Sequence, residues 1–208
     1  MSATCKGFAL ALVISVLVHP VHSFAGAYED GESAFHRKDY ADAMKHWQPL
    51  AQGDDPRAQA GMAALYLGGL GVPRDYALAL LLCEKAAKQG EPKAQYLLGS
   101  MYRDGTGVER DLDRAMALYR QAAEQDLHWA QYNLGLMYFL GEGVQSDHLE
   151  AYHWLALASG GRESDDSQVR ATASYMLDRV SAKLTPEQIN QAKQRVSEWK
   201  PAPPLRDK

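Results

Sequence analysis

Cysteine is nearly missing from this 208-residue chain: there are two, Cys5 and Cys83. Cys5 lies in an N-terminal segment that is expected to be cleaved, which leaves Cys83 alone, so no internal disulfide is expected and packing alone must hold the fold. Cys83 sits beside Leu81 and Leu82, where a small buried side chain is the expected role. Positive charge is also scarce. Lys and Arg total 22 against 26 Asp and Glu, a formal charge of −4. That balance provides no basic stripe for nucleic acid. The longest apolar run, Phe8 to Val18, has 11 residues, too short for the roughly 20 that a membrane-spanning helix needs.

Catalytic and metal-binding patterns are missing as well. The Gly-x-Gly pairs at 69–71, 105–107 and 141–143 follow helical patterns, and no Lys-Ser/Thr completes a phosphate cradle. His36, His46, His128, His148 and His153 show no i, i+4 pair. His148 and His153 alone could approach a third ligand, and packing or solvation accounts for them better. Asp54-Asp55 and Asp165-Asp166 are neighbours in loops, which suits capping and not paired acid–base work. No catalytic residue, metal or cofactor is expected.

The first 25 residues have the form of a secretory signal. Lys6 forms the charged start, Phe8 to Val18 the apolar stretch, and Ser23-Phe24-Ala25 a small-residue cleavage site. A cut after Ala25 is expected, with Ala27 as the alternative. Cys5 precedes the apolar run and so is not placed as a lipid-bearing cysteine. The expected location is periplasmic or secreted, with no membrane span once the signal is removed. The remaining chain then carries a charge of −5, since Lys6 is the only charged residue lost.

What the chain has in abundance is repetition. Residues 58–72 (AQAGMAALYLGGLGV), 94–108 (AQYLLGSMYRDGTGV) and 130–144 (AQYNLGLMYFLGEGV) align at a period of 36. Asp75, Asp111 and Asp147 keep the period, as do Ala79, Ala115 and Ala151, and Ala86, Ala122 and Ala158. A period of this length signals stacked supersecondary units. Ala94, Leu98 and Tyr102 share one face of a first helix. Gly99 permits close approach of a neighbouring helix, and Gly105 and Gly107 end the helix and turn the chain. Asp111 is an N-cap for a second helix that buries Ala115, Leu118, Tyr119 and Ala122. Asp147 and Glu150 are spaced as a capping box.

These residues resemble the Sel1-like repeat family, a relative of the TPR. The shared pattern is Ala-x-x-x-Leu-Gly-x-x-Tyr-x-x-Gly-x-Gly-Val, followed by Asp and Ala-x-x-x-Tyr/Trp-x-x-x-Ala, and it covers residues 58–160. The first copy departs from it: Ala64-Leu65 stands against the Leu98-Gly99 step, and Gly61 is displaced. The resemblance implies an all-α, right-handed solenoid of helix-turn-helix units and a role as an interaction scaffold, often in bacterial envelopes. Cysteine-rich relatives linked to β-lactams share only the helical repeat, since their paired cysteines are lacking here.

The expected organisation is a signal at 1–25, a TPR-like capping unit at 26–57, three repeats at 58–160, capping helices at 161–200 and a flexible tail at 201–208. The N-terminal unit has a first helix near Tyr28 to Arg37 and a second from Asp39. After a loop at 160–165, a helix near Asp166 to Lys183 turns Val169, Met176, Leu177 and Val180 to one side. Thr185 and Gln188 then cap a last helix carrying Ile189, Ala192, Val196 and Trp199.

In such a stack the first helices line the concave side. Their outward face carries Lys93, Tyr96, Ser100, Arg103 and Asp104 in the middle unit, with Arg57 from the unit before. In the third unit it carries Trp129, Tyr132, Leu136, Phe139 and Leu140, so that helix is apolar nearly all round and should be covered on both faces. Two coverings are consistent with this: the C-terminal helices fold back on it, or a partner docks there. The expected partner-binding set is Arg57, Lys93, Tyr96, Arg103, Trp129, Tyr132, Leu136 and Phe139. The expected partner is a protein or peptide of the cell envelope, held by a scaffold or regulator. A structural subunit of an envelope machine and, less so, a cell-wall or β-lactam-acting enzyme are the alternatives.

Overall fold

The computed structural model describes residues 26–160 and 167–203. The signal segment 1–25 with Cys5, the loop residues 161–166 and the tail residues 204–208 lie outside the described residues. Ten helices and no strands occur among the described residues. They are α1 (Ala27–His36), α2 (Tyr40–Gln52), α3 (Pro56–Gly68), α4 (Tyr76–Lys88), α5 (Pro92–Asp104), α6 (Leu112–Glu124), α7 (His128–Leu140), α8 (His148–Gly160), α9 (Ser167–Ser181) and α10 (Pro186–Glu198). Each helix from α1 to α8 packs on the next, and α3 also touches α5, which makes an all-α solenoid.

The helix ends follow from local chemistry. Asp39, Asp75, Asp111 and Asp147 precede the second helices, and each carboxylate accepts from the backbone N–H three residues on, at 2.9–3.2 Å. These caps satisfy donors that a helix start leaves unpaired. Asp147 caps as expected, but the Glu150 carboxylate turns to Arg195 of α10, which donates to it at 2.7 Å. Gly69, Gly105 and Gly141 end the first helices at φ of 64–71°, a left-handed conformation that favours glycine. The second glycine of each turn has a further reason. A Cβ on Gly71, Gly107 or Gly143 would lie 2.7–2.8 Å from the Cβ of Tyr40, Tyr76 or Leu112, the first residue of the preceding unit's second helix.

In three of the four helix pairs a side chain of the second helix seats on a glycine of the first; in α3 and α4 the matching residues are Ala63 and Cys83. Tyr119 comes within 3.0 Å of where a Gly99 Cβ would be, and Leu155 within 2.7 Å for Gly135. Trp47 belongs to the same series and touches two such glycines, at 2.3 Å from a Cβ on Gly31 and 2.7 Å from one on Gly61. This explains the displaced Gly61. The register places Met62-Ala63, not Ala64-Leu65, against Leu98-Gly99, and Gly61 yields to the Trp47 ring of the unit before.

The N-terminal unit follows the same plan with a shorter turn. Residues 37–39 connect α1 to α2, where residues 105–111 connect α5 to α6. Allowing for those four residues, Gly31 takes the place of Gly99 and Tyr28 that of Tyr96. Units are also tied by amides. Gln89 donates to Gln59 Oε1 at 3.5 Å and Gln125 to Gln95 Oε1 at 3.0 Å. One period after Gln125 the sequence has Gly161, and the buried Gln131 Oε1 has no hydrogen-bond partner among the described residues.

The C-terminal helices divide. α9 packs mainly on α8 and touches α7 as the next first helix would, and its Val169, Ala173 and Val180 are buried. α10, with the Thr185–Gln188 capping box present, packs on α8 instead. The start of the tail is tethered, since Ala202 N donates to Glu124 O at 2.7 Å. Cys83 is fully buried, and burial pushes its thiol up to about 12, which makes it a poor nucleophile.

Two predictions follow from these seats. Gly107→Ala should cost about 1–3 kcal/mol in urea unfolding, because it adds a Cβ at positive φ against Tyr76. Gly160→Ala, with no atom within 4 Å of its Cβ, should be neutral within about 0.5 kcal/mol. The second concerns His153 on α8, which is 5 % exposed. Burial, with the Arg195 charge, holds its imidazole below the ordinary value against the pull of Glu150. The folded state therefore binds fewer protons than the unfolded one, and stability present above about pH 6.5 is lost as pH falls toward the folded pKa. A single imidazole gives at most about 1.4 kcal/mol per pH unit. Unfolding curves at pH 7.5 and 5 should converge in His153→Gln, and an unchanged pH slope in that variant would contradict the assignment.

Candidate functional site

A cleft of about 430 Å³ opens between the first helices of the N-terminal half. Helix α1 contributes Tyr28, Glu32, Phe35 and His36, and Trp47 of α2 reaches in between α1 and α3. The α3 lining is small: Ala60, Gly61 and Ala64. Lys93, Tyr96 and Leu97 of α5 form the far wall, closed by Leu127 and Trp129 at the start of α7.

The aromatic groups form a graded set. Tyr28 stacks on Trp47 at a centroid separation of 6.1 Å, and Phe35 lies 5.7 Å from Trp47. Tyr96 lies 5.9 Å from Tyr119. Trp47 Nε1 donates to Tyr28 O at 3.2 Å, which keeps its buried N–H satisfied. Trp129 meets Tyr132 edge-on at 6.2 Å.

Charge in the cleft is paired. The Lys93 ammonium bonds the Glu32 carboxylate, lies 3.3 Å from Tyr28 Oη and sits 5.8 Å above the Tyr28 ring. Tyr28 Oη also donates to Glu32 at 2.9 Å. Burial, then the Glu32 charge, pushes the Tyr28 phenol up, so it stays protonated. Burial raises the Glu32 carboxyl, but the bonded Lys93 outweighs that and holds it below its usual value. Arg57 lies over the other part of the Tyr28 ring at 4.3 Å and pairs with Glu29 and Asp55 at 3.4 and 3.5 Å.

The expected binding residues separate into two groups. Lys93, Tyr96 and Trp129 line the cleft, and Arg57 holds its mouth through Tyr28. Arg103 is outside the lining. It donates to Asn133 Oδ1 and Asp104 Oδ1, each at 2.8 Å. Tyr132 and Phe139 pack on the C-terminal core to which Met176 and Leu177 of α9 also belong. Leu136 is half-buried and Leu140 is 60 % exposed on the same helix. The C-terminal helices thus reach α7 mainly through α9, and Trp129 lines the cleft. Among the described residues no group of three His, Cys, Asp or Glu is placed to hold a metal, and no helix is long and apolar enough to cross a membrane. His148 lies by Phe139 at 5.7 Å, and His153 is buried on α8 within reach of the Arg195 charge of α10.

The family described as Sel1 repeat matches residues 24–55, 56–91, 92–127 and 130–159. The chain belongs to the Sel1 repeat family. The match adds a repeat at 24–55, where sequence spacing alone suggests a plain TPR-like unit. Among solved structures, a protective antigen present in uropathogenic Escherichia coli strains and displaying an SLR fold is 29% identical, with a TM-score of 0.70. The match covers 85% of this chain and 37% of that one, so this chain spans about a third of the antigen's length. A Sel1 repeat protein from Oxalobacter formigenes is also 29% identical, with a TM-score of 0.60 over 82% of this chain and 70% of that one. No curated protein matches in sequence. Sel1 repeats are in general the units of interaction scaffolds, and no catalytic family is indicated.

Sequence reasoning missed the contributions of Tyr28, Glu32, Phe35 and Trp47 to this Sel1 site. The shortened turn at 37–39 hid the register, and allowing for it aligns Tyr28 with Tyr96. The ion pair supplies a test. In Lys93→Met the Glu32 carboxyl should rise above its ordinary value, because burial remains and the ammonium is gone. Carbon-13 NMR titration of the Glu32 carboxyl checks this, and an unchanged value would contradict the pairing.

Proposed function

We propose that this Sel1 repeat chain is an exported scaffold that holds a protein or peptide partner of the cell envelope on its concave face. The observation that carries the reading is the cleft itself. Sites that take a ligand are concave and mainly apolar, with a few fixed polar groups. Here aromatic and aliphatic side chains from five helices converge on a single Lys93–Glu32 pair. Tyrosine and tryptophan bury large area with few rotamers and are frequent anchors of interfaces. Rigid helices hold them, so little order has to be gained on binding. Export rests on the signal-like segment at 1–25, and the envelope is where such a chain would meet its partner.

Site-directed photocrosslinking in the cell envelope tests this. A benzoylphenylalanine at Leu97, in the cleft, should give a discrete adduct, and one at the exposed Lys85 of α4 should give none. Tyr96→Ala combined with Arg103→Glu should reduce the Leu97 adduct by about ten-fold with helical circular dichroism unchanged. Equal adducts from both positions, or an adduct indifferent to the double substitution, would contradict concave-face binding.

A further inference from the structure

The cleft exists because one repeat lacks a ring pair that its neighbours have. Ala60 stands one period before Tyr96 and two before Tyr132, and the shortened first turn brings Tyr28 to the same place. The facing position on the second helices reads Trp47, Cys83, Tyr119 and Leu155. The first repeat thus stacks Tyr28 on Trp47, and the third sets Tyr96 against Tyr119. The second has Ala60 and Cys83, both buried, where those rings would be. Ala64 stands one period before Ser100 and two before Leu136, so this stretch of the face carries small side chains. The aromatic ladder of the concave face is interrupted at one rung, with Tyr28 and Trp47 on one side and Tyr96 on the other.

From this the geometry points to a specific occupant: a tyrosine side chain of the partner, inserted over Ala60 and Ala64 to complete the ladder. The inference rests on the scaffold reading and specifies what that site takes. Charge complementarity favours a neutral group. Glu32 and Lys93 satisfy each other and Arg57 is paired with Glu29 and Asp55, so an inserted charge would lose hydration and compete for counter-ions already engaged. Above the half-buried Ala64, an aromatic ring fits walls of Tyr28, Tyr96 and Trp129 better than an aliphatic chain, because offset and edge-to-face ring contacts add to area burial. A phenol suits the polar end. An ammonium has three N–H donors; Tyr28 Oη and Glu32 take two, and the third can turn to an incoming hydroxyl.

The test uses the purified full chain labelled with nitrogen-15, titrated with N-acetyltyrosinamide and with the phenylalanine, leucine and lysine amides. The tyrosine amide should shift the Gly61, Ala64 and Leu97 amides and bind about ten-fold more tightly than the leucine and lysine amides. Ala60→Tyr, which restores the residue of the other repeats, should weaken it at least about ten-fold with the helical signal intact. Ala64→Leu, at a half-buried position, serves where Ala60→Tyr fails to fold. Lys93→Met should remove the preference for tyrosine over phenylalanine. Equal binding of the phenylalanine, leucine or lysine amide to the native chain would overturn the inference, as would shifts away from the cleft or binding that survives both alanine substitutions. Failure of amide binding while the Leu97 crosslink persists overturns the tyrosine pocket and leaves the scaffold standing. Amide binding without any concave-face crosslink does the reverse.

Discussion

The contact on which this solenoid depends is a side chain of one helix seated on a glycine of its partner. Tyr119 over Gly99 and Leu155 over Gly135 bring the paired helices closer than any Cβ would allow. Close packing makes such seats unforgiving, since a methyl group placed there has nowhere to go. The seat fixes the distance and rotation within three of the four hairpins, and the small Ala63 and Cys83 take its place in the other. The Asp caps and Gly-x-Gly turns then fix where one helix stops and the next begins. With those set, the outward positions of the first helices are set too, and the concave face is a consequence of the repeat.

Function in such a frame comes from departures from the repeat. Trp47 is the largest member of its series and lies against both Gly31 and Gly61. Cys83 is the smallest and packs with Ala63. One unit is overfilled and the next underfilled, and the cleft opens where they meet. The Lys93–Glu32 pair crosses the same junction, joining α5 to α1 across the small face of α3. First helices two repeats apart are thus tied across the cleft. The other end follows a different logic. There α7 is apolar nearly all round, and its outward residues are taken up partly by the core shared with α9.

Much of the fold was legible in the sequence because a period of 36 repeats every structural signal at once: cap, turn glycine, seat and small core residue. Residues 58–160 were placed nearly helix by helix. The site was legible only in part. Lys93, Tyr96 and Trp129 follow from the outward face of α5 and α7. Tyr28 and Glu32 do not, because four residues missing from a turn shift α1 out of register although its geometry is the same. Arg103 faces outward as read but is held by Asn133 and Asp104, contacts that depend on which neighbour lies a helix away. The destination of α10 was not legible either: an amphipathic stripe states that a helix is covered, not which helix covers it. Pairing of Arg195 with Glu150 and a tether from Ala202 to Glu124 place it on the second helices, away from the concave side.

The central claim is that the partner is held on the concave face of the N-terminal repeats. Hydrogen–deuterium exchange of the full chain, with and without the partner identified by crosslinking, tests it most directly. The account predicts added protection in the first helices α1, α3 and α5, at peptides spanning Tyr28, Ala64 and Leu97, with α4, α6 and α10 unchanged. Protection confined to the second helices, or to α10 and the C-terminal end, would contradict it.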